Sequence, residues 1–410
     1  MKQKPGHAAI ALLQVKHDQL LLAGQTVAEI AHELGQTPFY AYEGRAIDQR
    51  IQSLKNLFPS VSLHYAIKAN PMPELVHFVA QRVDGLDVAS AKELKLALAS
   101  TALEKDISFA GPGKSEPELL AAVEAGVVIN VESERELSRI LHISQALKKR
   151  ACVALRVNPD FELKSSGMKM AGGAKPFGID AERIPELLQR MENMDVNFYG
   201  FHIFTGSQNL KSEQLCDAHQ QIFNLAFELA DATTMPIRKL NIGGGFGIPY
   251  FPGETALDLQ PVAQNLQPLI TAAHKKLGDV EIILELGRYL VGEAGVYVCE
   301  VIDKKVSRGE TFVITNGGLH HHLAASGNFG QVIRKNYPVY LARQMFTGKR
   351  EVVNVVGPLC TPLDILANRH ETGMAEVGDL IVVMQSGAYG YSASPRDFLG
   401  HPPIQEIMLS

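Results

Sequence analysis

Cysteine is scarce. The 410 residues hold four, Cys152, Cys216, Cys299 and Cys360, with no Cys-x-x-Cys pair among them. That spacing offers neither a disulfide framework nor a structural zinc site, and it suits a reducing cytoplasm. No run of about 18 apolar residues exists, so no membrane partner is expected. The polar N-terminus, Met1 to His7, is followed by only six apolar residues, Ala8 to Leu13, too few for the core of a signal peptide. Basic charge is not in excess. Lys and Arg number 39 against 44 Asp and Glu, a formal net charge of −5. Nothing electrostatic therefore points to a nucleic-acid partner. Internal repeats and low-complexity linkers are absent as well.

What is present suggests an α/β chain of two domains, since 410 residues exceed one ordinary core. Short apolar runs alternate with helical patterns. The strand candidates are Ser62–Ile67, Gly85–Val88, Ile107–Ala110, Val127–Val131, Val153–Val157, Phe198–Phe204, Lys239–Ile242 and Val280–Glu285. Between them run segments such as Glu134 to Leu147, whose Leu137, Ile140, Leu141 and Leu147 are spaced to share a helix face. Ser90 with Glu93, Ser115 with Glu118 and Ser133 with Glu136 read as capping boxes. This pattern predicts a closed (β/α)8 barrel, the TIM barrel, over residues 36–288; a doubly wound open sheet is the competing architecture. Beyond it the runs Gly295–Lys304, Thr311–Thr315, Arg350–Val356 and Leu380–Met384 predict a second, mostly β C-terminal domain. Residues 1–35, with a helical segment at Thr26–Leu34, are grouped with residues 289–410 in that domain.

Three segments stand at strand ends, where the catalytic groups of such a barrel gather. His64-Tyr65-Ala66-Ile67-Lys68-Ala69-Asn70-Pro71 puts a lysine directly after the first strand. A lysine amine forms a Schiff base with an aldehyde, and burial lowers its pKa toward a nucleophilic amine. Taken alone, Lys68 also reads as a surface lysine beside the next helix. Leu240-Asn241-Ile242-Gly243-Gly244-Gly245 ends the seventh strand. Successive glycines let backbone N–H groups crowd around an anion. A dinucleotide loop would need a helix at once, and Ile248-Pro249-Tyr250 follows instead; a plain tight turn stays open. Glu285-Leu286-Gly287-Arg288 ends the eighth strand. Arg288 suits a phosphate or carboxylate and Glu285 a protonated ring nitrogen, or the two are simply an ion pair. Farther on, Gly357-Pro358-Leu359-Cys360 places a cysteine that is a proton donor or a buried apolar residue. His320-His321-His322 invites a metal, yet neighbours in an extended segment face opposite ways, so none is expected.

Together these motifs resemble the fold type III, alanine-racemase-like pyridoxal-phosphate decarboxylases, the group of diaminopimelate and ornithine decarboxylases. The resemblance runs from Pro38-Phe39-Tyr40-Ala41-Tyr42 to His401-Pro402-Pro403. It implies pyridoxal 5'-phosphate as cofactor, held by Lys68, with its phosphate on Gly243, Gly244, Gly245 and on Ser207 of Thr205-Gly206-Ser207-Gln208. Members carry Glu-Pro-Gly-Arg after the eighth strand; here Leu286 replaces proline, while Glu285, Gly287 and Arg288 stand in place. The resemblance further implies Cys360 as the acid that reprotonates the substrate carbon and Tyr389 as a cofactor contact. It implies a homodimer in which the segment bearing both crosses to the partner's site. An amino-acid racemase shares the architecture, but Glu285 and the Cys360 loop argue against it. A non-catalytic pyridoxal-phosphate-binding regulator is the alternative from another class, and Lys68, Cys360 and the glycines argue against that.

Three departures bear on the substrate. Phe204 stands where the family places a histidine on the cofactor ring. Thr361 follows Cys360 where an acid normally grips a distal ammonium. Gly318 to Gly327 holds no arginine of the kind diaminopimelate enzymes use for a distal carboxylate. Arg288, Thr361 and His320 remain as candidate substrate contacts. A small-molecule amino acid with a neutral side-chain end, or one tethered to an acyl carrier as in glutamyl-carrier decarboxylases, fits this pattern; diaminopimelate or another free basic amino acid is the alternative. Protonated histidines at 320–322 would partly restore positive charge. Arg334 and Lys335 are a candidate basic patch for an acidic carrier, or ordinary surface charges.

Overall fold

A computed structural model describes residues 5–161, 168–169, 172–331 and 334–410. Met1–Lys4, part of the polar N-terminus, lie outside the described residues. All eight barrel strands form, each within two residues of its sequence-predicted ends. They are β1 (Ser62–Ala66), β2 (Gly85–Val88), β3 (Ile107–Phe109), β4 (Val128–Val131), β5 (Ala151–Asn158), β6 (Val196–His202), β7 (Lys239–Gly244) and β8 (Glu281–Leu286). Each pairs in parallel with its neighbours, and the β4–β5 ladder closes the ring. Helices cover the outside, so the strands are buried on both faces and read as continuous apolar runs.

The helix starts are those expected, with one correction. Ser115 and Glu118 form a full capping box. Ser90 and Ser133 accept from the N–H of Glu93 and Glu136, but those glutamates reach one residue farther back, to Ala89 N and Glu132 N, both at 2.7 Å. On the helix Glu134–Leu147, Leu137, Ile140 and Ile143 are buried; Leu141 and Leu147 only partly.

The β domain is organised by β9 (Gly295–Ser307), which pairs with β10 (Glu310–Thr315) and β14 (Leu380–Val383). β11 (Val339–Leu341), β12 (Arg350–Val356) and β13 (Ile365–Gly373) extend the sheet. β11, β13 and β15 (Gln405–Leu409) were not among the strand candidates. A second correction concerns the boundary at residue 36. Phe39–Glu43, assigned to the barrel by sequence, pairs antiparallel with β9 and parallel with β15. All five of its residues are buried. The helix Val27–Leu34, capped by Thr26 and Gly35, follows a small three-stranded sheet. That N-terminal unit is tied to the C-terminal region through Asp18, which accepts from Phe346 N at 2.8 Å and Thr347 Oγ1 at 2.6 Å.

Candidate active site

Lys68 occupies a single 3-10 turn, Ile67–Ala69, where β1 leaves the barrel. Its flanking residues are buried, but its own side chain is 44 % exposed. Nζ lies 3.4 Å from Glu285 Oε1 and 5.8 Å from the centre of the Phe204 ring. Glu285 is buried at the end of β8. Its Oε2 is 3.2 Å from His202 Nε2, at the end of β6, and 3.5 Å from Asn241 Nδ2 on β7. Burial pushes the Glu285 carboxyl up; Lys68, His202 and Arg156 overcome this and hold it well below the usual carboxylate range. Burial likewise pushes Lys68 down, but Glu285 and Tyr389 win and its pKa is raised. The expected lowering of the Lys68 pKa is thus reversed, because a carboxylate stands beside the amine.

The three glycines are demanded by close backbone approach. Gly243 and Gly245 have φ of +68° and +74°, which glycine adopts at no steric cost. A Cβ at Gly244 would stand 2.3 Å from Glu285 O, and one at Gly245 2.4 Å from Gly206 O. Asn209 N donates to Gly245 O and Gly247 N to Asn209 O, each at 2.9 Å, so the Ser207 loop and the glycine loop form one rim. Asn241 Oδ1 accepts from Gly243 N at 2.8 Å, joining that rim to Glu285. Gly287 packs on the Lys68 turn, where a Cβ would meet that of Ala69 at 2.9 Å. Arg288 donates to Tyr250 Oη at 2.9 Å and lies 4.6 Å from the Tyr389 ring centre. A side-chain-free rim for a phosphate and an ionised buried carboxylate for a ring N–H fit a phosphorylated pyridine between them.

The β domain contributes two segments, placed differently. Tyr389 N donates to Ala69 O at 2.7 Å and Asn70 Nδ2 to Gly387 O at 3.0 Å, stitching the tyrosine loop to the Lys68 turn of the same chain. This corrects the expectation that Tyr389 serves the partner's site. Cys360 is exposed, in the loop between β12 and β13. Among the described residues, no hydrogen bond, ion pair or ring contact joins Cys360 or Thr361 to Lys68, Glu285 or Phe204. The loop is anchored by buried Asp364, whose Oδ1 accepts from Leu319 N at 2.6 Å and Oδ2 from Leu359 N at 2.9 Å.

The histidine triplet is also corrected. His320, His321 and His322 are all buried, and burial lowers them to about 4, 3 and 3. They are neutral near pH 7 and supply no cation to a substrate, and His320, wholly buried, does not stand as a substrate contact in this chain. Arg334 is half-buried and donates to Ile365 O, which takes it out of the suggested basic patch. His202, Asn241, Arg156 and Asp364 were not singled out from sequence. The available signal for the first two was a polar residue near the end of an otherwise apolar strand, His202 on β6 and Asn241 on β7.

Residues 44–292 match the family described as "Pyridoxal-dependent decarboxylase, pyridoxal binding domain". The chain belongs to the pyridoxal-dependent decarboxylases. Among curated relatives, the decarboxylase is 37% identical over 91% of its length to L-glutamyl-[BtrI acyl-carrier protein] decarboxylase of Niallia circulans, covering 89% of that protein. It is 32% identical to diaminopimelate decarboxylase of Aquifex aeolicus, over 97% and 92% of the two chains. It is 31% identical to 2-[(L-alanin-3-ylcarbamoyl)methyl]-2-hydroxybutanedioate decarboxylase of Staphylococcus aureus, over 90% and 94%. The solved diaminopimelate decarboxylase of M. jannaschii in complex with L-lysine superposes with a TM-score of 0.87 at 25% identity, over 97% and 92%. The decarboxylase is therefore an amino-acid carboxy-lyase using pyridoxal 5'-phosphate, built as a (β/α)8 barrel with a mostly β domain. No helix among its described residues is long and apolar enough to cross a membrane.

Proposed function

We propose that this decarboxylase acts on an α-amino acid whose side-chain end is uncharged or joined to a larger carrier, a glutamyl-carrier conjugate being the type substrate. The observation that carries this is the residue beside Cys360. Thr361 offers a hydroxyl but no countercharge, and the neighbouring histidines are neutral. A desolvated distal ammonium left without its acid costs about 3–5 kcal/mol. Two relatives support the reading through their names: one takes a carrier-bound glutamate, the other an alanine joined through a carbamoyl group to a larger acid.

In this proposal Lys68 holds the cofactor, the Gly243–Gly245 and Ser207 rim with Arg288 carries its phosphate, and Phe204 offers an apolar ring to its face. Bound pyridoxal phosphate supplies the electron sink for loss of carbon dioxide. Glu285, kept ionised by Lys68 and His202, holds the proton at the ring nitrogen. Tyr389 closes the site from its own β domain. Cys360 delivers a proton to the substrate α-carbon of a partner subunit, which requires a homodimer; the enzyme works in the cytoplasm.

The test compares kcat/KM for free diaminopimelate, lysine, ornithine and glutamate with that for a glutamyl-carrier conjugate. The conjugate is expected to win. A preference of about tenfold or more for free diaminopimelate or ornithine rules the reading out.

A further inference from the structure

We infer that the cleft beside Lys68 is the channel for a substrate arm that ends in a phosphodiester, with Lys92, Lys95 and Arg396 as the anion's contacts. This rests on the carrier-tethered reading and deepens it. The exposed side of Lys68 opens on a cleft of about 580 Å³. Decarboxylation leaves the α-amine and α-carboxylate committed to the reacting end, so a tether must run from the side-chain carboxyl. In this proposal the tether leaves through this cleft, which Lys68 itself lines. Pro71, Met72, Leu96 and Ala393 make its walls apolar, and Lys92, Lys95 and Arg396 add positive charge from both domains.

The charges in the cleft are not balanced. Its two acids are already engaged: Glu93 accepts from Ala89 N at 2.7 Å and Glu406 from Tyr42 Oη at 2.6 Å, and burial raises the pKa of both. Among the described residues, Lys92 and Lys95 have no ion-pair partner. They lie one turn apart on the helix Ala91–Leu98, and Lys92 stands in its first turn. The helix dipole there favours an anion, so the stability of the helix does not account for a lysine. A carrier protein holds its cargo as a thioester on a phosphopantetheine arm: methylenes and amides, then a phosphodiester. Apolar walls and two lysines without an ion-pair partner, with Arg396 beside Glu406 across the cleft, match those two parts of the arm.

Holoenzyme is titrated with 4'-phosphopantetheine, with pantetheine and with inorganic phosphate, and assayed on the two glutamyl thioesters, with and without the phosphate. Wild type is expected to favour the phosphorylated form by about tenfold. Lys92→Ala with Lys95→Ala should abolish that preference, and Lys92→Arg with Lys95→Arg should keep it. Cofactor absorbance and the thermal midpoint serve as folding controls. Wild type indifferent to the phosphate, an alanine variant that retains the preference, or inorganic phosphate competing as well as phosphopantetheine overturns the channel alone. Wild type that ignores both thioesters yet turns over a free amino acid overturns the tethered reading, and the channel with it.

Discussion

The cofactor wall and the Cys360 wall of this enzyme are built on opposite plans. The first is complete within one chain. Glu285 is buried between Lys68, His202 and Asn241, and the glycine rim is locked by backbone contacts closer than any Cβ would permit. The second presents Cys360 to solvent on a loop anchored at its base by Asp364. The contrast teaches how the work is divided. Fixed charges in a barrel mouth are oriented before any ligand arrives. Under the function proposed above, Cys360 on a loop of the other domain is brought to its target by assembly, and a change of substrate preference there leaves the cofactor wall undisturbed.

Breaking the complete wall should have the largest effect. Lys68→Ala is expected to lower turnover by orders of magnitude and to remove covalent attachment of the cofactor. Borohydride reduction followed by peptide mapping checks this: wild type should carry the adduct on the Lys68 peptide alone. An adduct on another lysine contradicts the assignment.

Breaking the other wall should be milder toward the cofactor. Cys360→Ala is expected to bind pyridoxal phosphate as wild type does while slowing or misdirecting reprotonation. Mixing impaired Lys68→Ala and Cys360→Ala subunits should restore up to about one quarter of the sites, since random pairing makes half the dimers mixed, each with one intact site. A fully active monomer in light scattering, or no recovery on mixing, defeats the shared-site arrangement.

The smallest effect sharpens the comparison through pH. His320, His321 and His322 directly follow Leu319, whose N–H donates to Asp364, and are depressed from 6.5 to about 4, 3 and 3. Below pH 6.5 the unfolded chain takes up protons that the folded chain refuses until these lower values. Stability is therefore lost as pH falls through that window, on the order of 1–2 kcal/mol per ring by pH 5. The thermal midpoint should drop between pH 7 and pH 5. His320→Phe should soften the drop at little cost near neutrality, because neither ring nitrogen of His320 has a hydrogen-bond partner. An unchanged slope in the variant would show that His320 does not titrate as described.

How much of this was legible beforehand follows from the range over which each feature is decided. The barrel strands and the Lys68, Gly243–Gly245 and Glu285 segments were readable because doubly buried parallel strands leave apolar runs and strand-end turns leave local residue signatures. Phe39–Glu43 has the same apolar look as a barrel strand, and only its pairing with β9 and β15 puts it in the β domain. Tyr389 belongs to its own chain's site because of one backbone bond to Ala69. The ionisation of the site was the least legible of all. Lys68 and Glu285 meet across 217 residues of sequence, and the histidines lose their charge chiefly to burial, with His401 adding to it at His320 and His321. Period and turn chemistry act between neighbours in the chain, so the sequence carries them openly. Ladder partners and pKa values depend on what folding brings within a few ångströms, and only the tertiary structure decides that.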